Sequence, residues 1–350
     1  MKKYSLLYKE LKNQILTGEY ASGEKLPSKR VMADKTGYSL ITVERVYGML
    51  EDEGYIYAKE RAGYFVAKID AALHYNTQNE NAKLQYLTEE TIRPEQDFEY
   101  ALWFKTVRKV ISDNGDRLFV KSPNKGCAIL RNAIADYLRR YRGMIAQPRQ
   151  IIIGSGAEQL YEAVAKILGK DTVVGIENPS YSQIEAAYRG TGAKICKLDL
   201  GDDGIVTDAL FQGQYNLLHV TPFSSYPSGI TASISKRYEY LQWADRTGNY
   251  IVEDDYASEF FVPGHPIESL YALDQCDKVI YINTFSKSLS PAMRMGYMIL
   301  PEHLLAKYDE VLGNSSCTVP VMEQYVLAEF ISEGHFERHL NRVRRRMKAR

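Results

Sequence analysis

The chain has 350 residues, 45% hydrophobic and 25% charged, a composition typical of a folded protein with two or more domains. Its 44 Lys and Arg balance its 44 Asp and Glu, which excludes a uniformly basic nucleic-acid-binding surface but not a local basic face. The four cysteines form no CxxC pair, and no apolar run approaches about 18 residues, so we expect reduced thiols, no membrane span and a cytoplasmic location.

The N-terminal part of the chain predicts three helices followed by a β-hairpin. Apolar residues recur at helical spacing in three segments, and Ser39 precedes the third as a helix cap. Two short strand-like runs around a tight loop come next. The predicted helices cover residues 4–17, 27–36 and 39–53, and the predicted strands cover residues 54–58 and 63–67. This order of elements describes a winged helix-turn-helix.

The next segment, residues 70–95, is polar without a strong period and predicts a linker. Beyond it, short apolar runs alternate with amphipathic segments, a pattern that predicts an α/β fold with a mostly parallel sheet covered by helices. The apolar runs are Ile151–Ile153, Val173–Ile176, Leu217–Val220, Tyr250–Val252 and Val279–Ile282, and the amphipathic segments include 158–168, 235–247 and 302–312. Ligands bind such sheets where the carboxyl ends of the strands open a crevice.

Polar residues follow these runs in the types that a phosphate-bearing aldehyde cofactor needs. Such a cofactor requires an amine for a Schiff base, an acid for its pyridine nitrogen, a helix start and an arginine for its phosphate, and an aromatic ring for its face. The sequence offers each of these groups: the amine of Lys287, the acid of Asp254, the helix start at Gly156-Ala157-Glu158, the guanidinium of Arg294 and the ring of Tyr181. Taken singly, the charged residues also fit loop caps or solvated charge, and Tyr181 fits stacking and plain packing equally well.

Residues 96–350 resemble the large domain of fold-type I aminotransferases, which use pyridoxal 5′-phosphate. Three segments carry the resemblance, namely Thr284-Phe285-Ser286-Lys287, Arg294-Met295-Gly296-Tyr297 and Glu253-Asp254-Asp255-Tyr256. It implies that Lys287 forms the Schiff base, that Asp254 pairs with the pyridinium, and that Tyr256 meets the ring hydroxyl. The implied cofactor-binding residues are Gly156, Ala157, Glu158, Tyr181, Asp254, Tyr256, Thr284, Ser286, Lys287 and Arg294.

Residues 1–67 resemble a GntR-type winged helix through the segments 23–30, 42–43, 50–54 and 63–66. The order of the two domains is similar to that of the MocR/GabR subfamily of transcriptional regulators. The resemblance implies a DNA-binding domain at 1–69, a linker at 70–95 and an aminotransferase-like domain at 96–350. It also implies a homodimer, a double-stranded DNA operator, and an amine, an amino acid or the cofactor itself as effector. The residues expected to contact DNA are Ser28, Lys29, Arg30, Ser39, Thr42, Arg45, Arg61 and Gly63.

Lys29 and Arg30 would lie in the first turn of the second helix, where cations oppose the helix dipole, which indicates an anionic partner. A protein partner for the winged helix is the alternative.

Leu40 and Glu44 stand where many GntR-type readers carry arginine. Guanine readout is therefore not expected from these two positions, and Thr42, Tyr38 or Arg45 would carry more of it.

The aminotransferase-like part departs from its family at two places. Lys121 stands where the family has a tyrosine that reaches the phosphate across the dimer. The chain stops at Arg350, before the small domain whose arginine holds a substrate carboxylate, so no residue is assigned that role. We therefore expect a regulator that does not transaminate efficiently. The alternative is an aminotransferase with an accessory N-terminal domain.

His335 and His339 lack a third partner, so no metal site is expected.

Overall fold

A computed structural model describes residues 3–60, 62–68, 98–260 and 268–349. The chain divides into two units, Met1–Ile92 and Arg93–Arg350. The predicted linker and Arg61 lie outside the described residues, and the predicted domain boundaries stay predictions. Within the described ranges, no helix is both long enough and apolar enough to cross a bilayer.

The first unit has the predicted winged helix-turn-helix, which confirms this part of the fold prediction. Its elements are α1 (Lys3–Leu16), α2 (Lys29–Thr36), α3 (Leu40–Asp52), β1 (Ile56–Lys59) and β2 (Gly63–Val66). The two strands pair antiparallel, with Ile56 opposite Val66, and both of these side chains are buried. One apolar core joins the three helices to the hairpin, and Leu7, Val43 and Leu50 are fully buried in it.

Short-range hydrogen bonds fix the ends of the two helices after the first. The Ser28 side chain accepts a hydrogen bond from the Val31 N–H and begins α2, and Ser39 does the same for α3 through the Thr42 N–H. Gly37 ends α2 in the left-handed conformation, at φ +72°, which glycine adopts without strain. The tight turn between α2 and α3 therefore follows directly from local sequence.

The second unit is built on one eight-stranded sheet in the order β3-β10-β9-β8-β7-β4-β5-β6. The strands are β3 (Ile151–Gly154), β4 (Val173–Asn178), β5 (Lys194–Gly201), β6 (Gly204–Ile205), β7 (Leu217–Val220), β8 (Tyr250–Asp254), β9 (Val279–Thr284) and β10 (Gly296–Ile299). β10 runs antiparallel to both neighbours and β6 antiparallel to β5, while the other pairs are parallel. The prediction of a mostly parallel sheet is confirmed.

Helices cover both faces of this sheet. They are α4 (Tyr100–Asn114), α5 (Ala128–Tyr137), α6 (Ala157–Leu168), α7 (Ser182–Gly190), α8 (Thr207–Gln212), α9 (Ile234–Thr247), α10 (Leu270–Leu273), α11 (Phe285–Ser288), α12 (Leu305–Leu312), α13 (Val321–Ser332) and α14 (His335–Ala349). Ile151 and Ile153 pack into one apolar cluster and Ile152 into another, because successive side chains of a strand point to opposite faces. Burial on both faces explains why the central strands read as unbroken apolar runs.

Candidate cofactor site and nucleic-acid interface

A cavity of about 300 Å³ lies at the edge of the sheet where β4, β7, β8 and β9 end. It brings together segments that are far apart in the chain, as the positions after the strands predict. The sequence-predicted cofactor residues that line it are Ala157, Glu158, Tyr181, Asp254, Tyr256, Thr284, Ser286 and Arg294.

Lys287 lies beside this cavity in the short helix α11, which begins directly after β9. Its Nζ atom is 4.6 Å from the centroid of the Tyr256 ring, and the residue is exposed. Partial burial of the amine lowers the pKa of Lys287, against an opposing effect of the Glu259 carboxylate. A lowered pKa increases the fraction of neutral amine, which is the form that attacks a carbonyl carbon.

Asp254 ends β8 inside the cavity wall and is 4% exposed. The Tyr161 hydroxyl donates a hydrogen bond to Asp254 Oδ2, and burial together with this carboxylate raises the pKa of Tyr161. Asp254 Oδ1 is buried and has no hydrogen-bond partner among the described residues. A buried acceptor of this kind is costly unless a donor meets it, so a ligand N–H in the cavity would fit this oxygen.

The opposite end of the cavity is suited to an anion. Gly156 caps α6 at φ +95°, and a Cβ atom at this position would lie 3.3 Å from Arg294 Nη2. Glycine therefore lets the guanidinium approach the start of α6, whose first N–H groups have no partner within the helix. Arg294 has a φ of +40°, unusual for a residue with a side chain, and its Nη2 lies 3.8 Å from Glu158 Oε2. The guanidinium and the helix start are groups that could hold a phosphate.

Several residues of this region were missed by the sequence analysis. Tyr161 lies inside α6 and His219 inside β7, at positions whose apolar spacing indicates only core packing. His219 Nε2 is 3.7 Å from Asp254 Oδ2, and its Nδ1 is hydrogen-bonded to the Tyr188 hydroxyl at 2.9 Å. Gln183, Ile184 and Tyr226 also line the cavity. A tyrosine or histidine in an otherwise apolar stripe was the only sequence feature that pointed to such partners.

A buried carboxylate holds the loop that follows β7. Glu177 accepts hydrogen bonds from the Thr221 hydroxyl and, at 2.7 Å, from the Ser225 hydroxyl, and burial raises its pKa. In the same loop, the Ser224 carbonyl accepts a 2.7 Å hydrogen bond from the Tyr256 hydroxyl. These bonds fix the Tyr256 ring beside the lysine, although Tyr256 lies in the loop after β8 and Glu177 lies in β4.

Most of the described residues predicted to contact DNA lie at the starts of α2 and α3, whereas Arg45 lies further along α3 and Gly63 begins β2. Two of the cations have internal partners. Ser28 and Ser39 cap α2 and α3. Lys29 Nζ lies 2.9 Å from Glu44 Oε1, and the Arg45 guanidinium lies 4.2 Å from the centroid of the Tyr4 ring. Glu44 therefore compensates the unfavourable position of the Lys29 cation that the sequence indicated. The remaining predicted positions, Arg30, Thr42 and Gly63, are exposed or half-exposed, while Arg61 lies outside the described residues.

No group of His, Cys, Asp and Glu in the described ranges is arranged to hold a metal ion.

Residues 3–66 match the family of bacterial regulatory proteins of the gntR type, and residues 77–350 match the family described as aminotransferase class I and II. The chain therefore belongs to the aminotransferase class I and II family and carries a gntR-family domain in front of it, the combination found in MocR/GabR-type transcriptional regulators.

Two regulators are similar over almost the whole chain. The uncharacterized HTH-type transcriptional regulator YdeL of Bacillus subtilis strain 168 is 34% identical over 351 residues, which cover 98% of this chain and 76% of that protein. The probable rhizopine catabolism regulatory protein MocR of Rhizobium meliloti is 30% identical over 363 residues, which cover 97% and 73%. The chain is thus a DNA-binding regulator with an aminotransferase-like unit.

The large unit is similar to solved aminotransferase structures. The α-aminoadipate aminotransferase LysN of Thermus thermophilus, complexed with N-(5′-phosphopyridoxyl)-L-leucine, is 27% identical with a TM-score of 0.65. The match covers 72% of this chain and 65% of that one. The chain therefore spans about three quarters of the curated regulators and less than two thirds of this enzyme.

Proposed function

We propose that the large unit binds pyridoxal 5′-phosphate on Lys287 and that a ligand of this site, an amine, an amino acid or the cofactor itself, changes the affinity of the winged helix for its operator. The Asp254 carboxylate and the Arg294 guanidinium line one cavity, and the Lys287 amine lies 4.6 Å from the ring of Tyr256, which lines the same cavity. This arrangement carries the proposal. We propose further that the protein acts in the cytoplasm as a homodimer, because two linked winged helices gain avidity on paired half-sites.

The residues of the cavity fit the parts of this cofactor. Asp254 Oδ1, which has no hydrogen-bond partner among the described residues, would accept the N–H of the protonated ring. Arg294 and the first turn of α6 would hold the phosphate, next to Gly156. Tyr161 and His219 would keep the Asp254 carboxylate oriented from behind. When bound, pyridoxal phosphate supplies an aldehyde carbon that condenses with primary amines and a ring that withdraws electrons.

Regulation requires that the effector bind two states of the protein with different affinity. The environment of Lys287 provides a basis for such a difference, because burial favours the neutral amine and Glu259 favours the charged one. A ligand that carries its own primary amine competes with Lys287 for the same carbon. The charge held by the lysine would then differ between the two states.

A reduction experiment tests the covalent part of the proposal. The protein is mixed with pyridoxal phosphate, treated with borohydride and digested, and the modified peptide is located by mass spectrometry. We expect the label on Lys287 and a visible absorption band before reduction. Lys287→Ala should lose both, while the exposed Lys307→Ala variant should keep both. An unlabelled wild type, or equal labelling of Lys287→Ala, would contradict the proposal.

A second experiment tests regulation. A duplex selected from random-sequence DNA is labelled and titrated with the full chain, with and without pyridoxal phosphate and a panel of amines and amino acids. We expect at least one of these compounds to change the dissociation constant. Identical constants for every compound would refute the sensor function and leave DNA binding intact.

A catalytic function is the second candidate, and the 27% identity to an aminotransferase favours it. In this case the large unit would turn over amino acids, with the winged helix as an accessory. The measurement is the keto acid released from a panel of amino acids, with Lys287→Ala as the control. Repeated turnover by the wild type alone would favour the enzyme over the regulator.

A further inference from the structure

The first turn of α3 presents two large aliphatic side chains to solvent. Leu40 is 44% exposed and Ile41 is 78% exposed, whereas Val43 and Val46 of the same helix are fully buried. Single exposed apolar residues are ordinary on protein surfaces. These two, however, are adjacent and stand at the start of the second helix of a helix-turn-helix, directly after the capping Ser39. This is the part of the motif that contacts base edges in the major groove.

The polar side chains around this turn are already engaged within the unit. Glu44 is paired with Lys29 at 2.9 Å, and Arg45 lies over the Tyr4 ring. The Thr42 hydroxyl lies 2.9 Å from the Ser39 hydroxyl. Guanine is usually read by the bidentate donors of arginine or lysine. The first turn of α3 therefore offers bases an aliphatic surface in place of such donors.

Among the groups that base pairs expose in the major groove, the C5 methyl of thymine is the apolar one. Two aliphatic side chains are too small a patch for a stable protein interface, which buries about 800 Å² per partner. The start of α3 also carries the positive end of the helix dipole, and the exposed Arg30 lies in the first turn of α2, so the surroundings complement a phosphate backbone.

We infer that Leu40 and Ile41 read thymine methyl groups, so that the operator half-site has thymine where the first turn of α3 meets the bases. This inference rests on the DNA-binding function and specifies the sequence class that the helix recognises. Burial of one methyl group against an aliphatic side chain should change affinity about four-fold.

The experiment uses the full chain and duplexes selected from random-sequence DNA. Each thymine of the selected consensus is replaced in turn by deoxyuridine, which removes only the C5 methyl group. We expect the wild type to bind about four-fold more weakly to at least one substituted duplex. Ile41→Ala should bind the thymine duplex more weakly and lose discrimination at that position, and Ile41→Val, which keeps a branched side chain, should retain part of it.

Ile234→Ala provides the matched control, because Ile234 is an exposed aliphatic residue at the first position of α9, also directly after a capping serine. It should discriminate thymine from deoxyuridine as the wild type does. Thermal unfolding of the Ile41 variants should match the wild type, since this side chain has few packing contacts to lose.

Two results would overturn the inference while leaving DNA binding intact. One is a wild type that binds thymine and deoxyuridine duplexes equally at every position. The other is an Ile41→Ala variant that discriminates as strongly as the wild type. A selection that enriches no sequence would instead refute the DNA-binding function, and the inference with it.

Discussion

The winged-helix unit and the large unit position their functional side chains through contacts of different range along the chain. Most of the described residues expected to read DNA lie at the starts of α2 and α3, which are fixed by hydrogen bonds between near neighbours, such as the one from the Thr42 N–H to Ser39. The cofactor site depends instead on contacts between residues that are far apart in the chain. Asp254 and Tyr161, which are 93 positions apart, form a buried hydrogen bond. Apart from the capping serines, substitutions in the first region should therefore change binding alone, whereas those in the second can change binding and stability together.

The ion pairs of the two units differ in the same way. The side chains of Lys29 and Glu44 are 27% and 61% exposed, so salt and water screen their attraction. Arg142 and Asp255 meet at 2.8 Å with exposures of 13% and 0%, and removal of one partner would leave a buried charge. A DNA phosphate can replace Glu44 as the partner of Lys29, whereas loss of the buried Arg142–Asp255 pair would destabilise the folded unit.

The largest effect is expected at the buried end of the cavity. Asp254→Asn keeps the size of the side chain and an acceptor for Tyr161, but it removes the negative charge that would hold a protonated ring nitrogen. Affinity for pyridoxal phosphate should fall about 100-fold or more, because a buried cation would lose its counter-charge. Equilibrium dialysis measures the affinity, and thermal unfolding of the apoprotein controls for folding. Unchanged affinity would show that Asp254 does not face the ring nitrogen.

A smaller loss is expected at the exposed end, where Arg294 is 59% exposed. Arg294→Ala should lower the affinity for pyridoxal phosphate about 10-fold, since charge-assisted hydrogen bonds to the phosphate are lost. Pyridoxal without the phosphate is the matched ligand, and its affinity should not change. An equal loss for both ligands would place Arg294 away from the phosphate.

These two residues were named from the sequence because each follows a strand or a recognisable motif. Five strands, namely β3, β4, β7, β8 and β9, and the helices over residues 158–168, 235–247 and 302–312 could be predicted for a related reason. The strands are apolar runs and the helices have amphipathic spacing. β5 was not predicted, because it lies near the edge of the sheet and all but one of its residues are half-buried or exposed, so it forms no unbroken apolar run. β10 was not predicted either, since its first residues, Gly296 and Tyr297, belong to the motif that contains Arg294.

The partners behind the cavity could not be predicted, for a physical reason. Tyr161 and His219 are oriented by contacts with Asp254 and Tyr188, which lie on other elements, and such contacts leave no local pattern. The internal pairing of Lys29 was also missed. A lysine in the first turn of a helix indicates an anion, and the sequence alone does not distinguish a phosphate from the Glu44 carboxylate.

The pH dependence of stability should also separate the two units. Burial and the Asp255 charge raise the pKa of Glu259 to about 7, with Arg142 acting in the opposite direction. Because the folded-state pKa lies above the usual value of 4.5, the associated stability is present below about pH 4.5 and is lost as the pH rises through about 7. Glu259→Gln should be more stable than the wild type at pH 8, by an amount on the order of 1 kcal/mol, and no more stable at pH 4.5.

Tryptophan fluorescence suits this measurement, because Trp103 and Trp243 both lie in the large unit. Glu53→Gln in the winged helix is the control, and it should leave the tryptophan-detected unfolding unchanged at every pH. The pKa of Glu53 is lowered by the hydrogen bond from Tyr8, so its own contribution would be lost only as the pH falls. A constant difference between Glu259→Gln and the wild type from pH 4.5 to pH 8 would contradict the buried-carboxylate interpretation.

The smallest effect is expected at the exposed pair of the winged helix. Glu44→Gln should release Lys29 for a phosphate, so the affinity for a selected duplex should rise a few-fold and the slope of log affinity against log salt should steepen by about one unit. Lys29→Met combined with Glu44→Gln should abolish the change in slope. If DNA already displaces Glu44 in the wild type, Glu44→Gln will raise affinity by removal of a negative charge but leave the number of phosphate contacts, and hence the slope, unchanged. The salt dependence therefore decides whether this pair persists in the complex, which affinity alone does not.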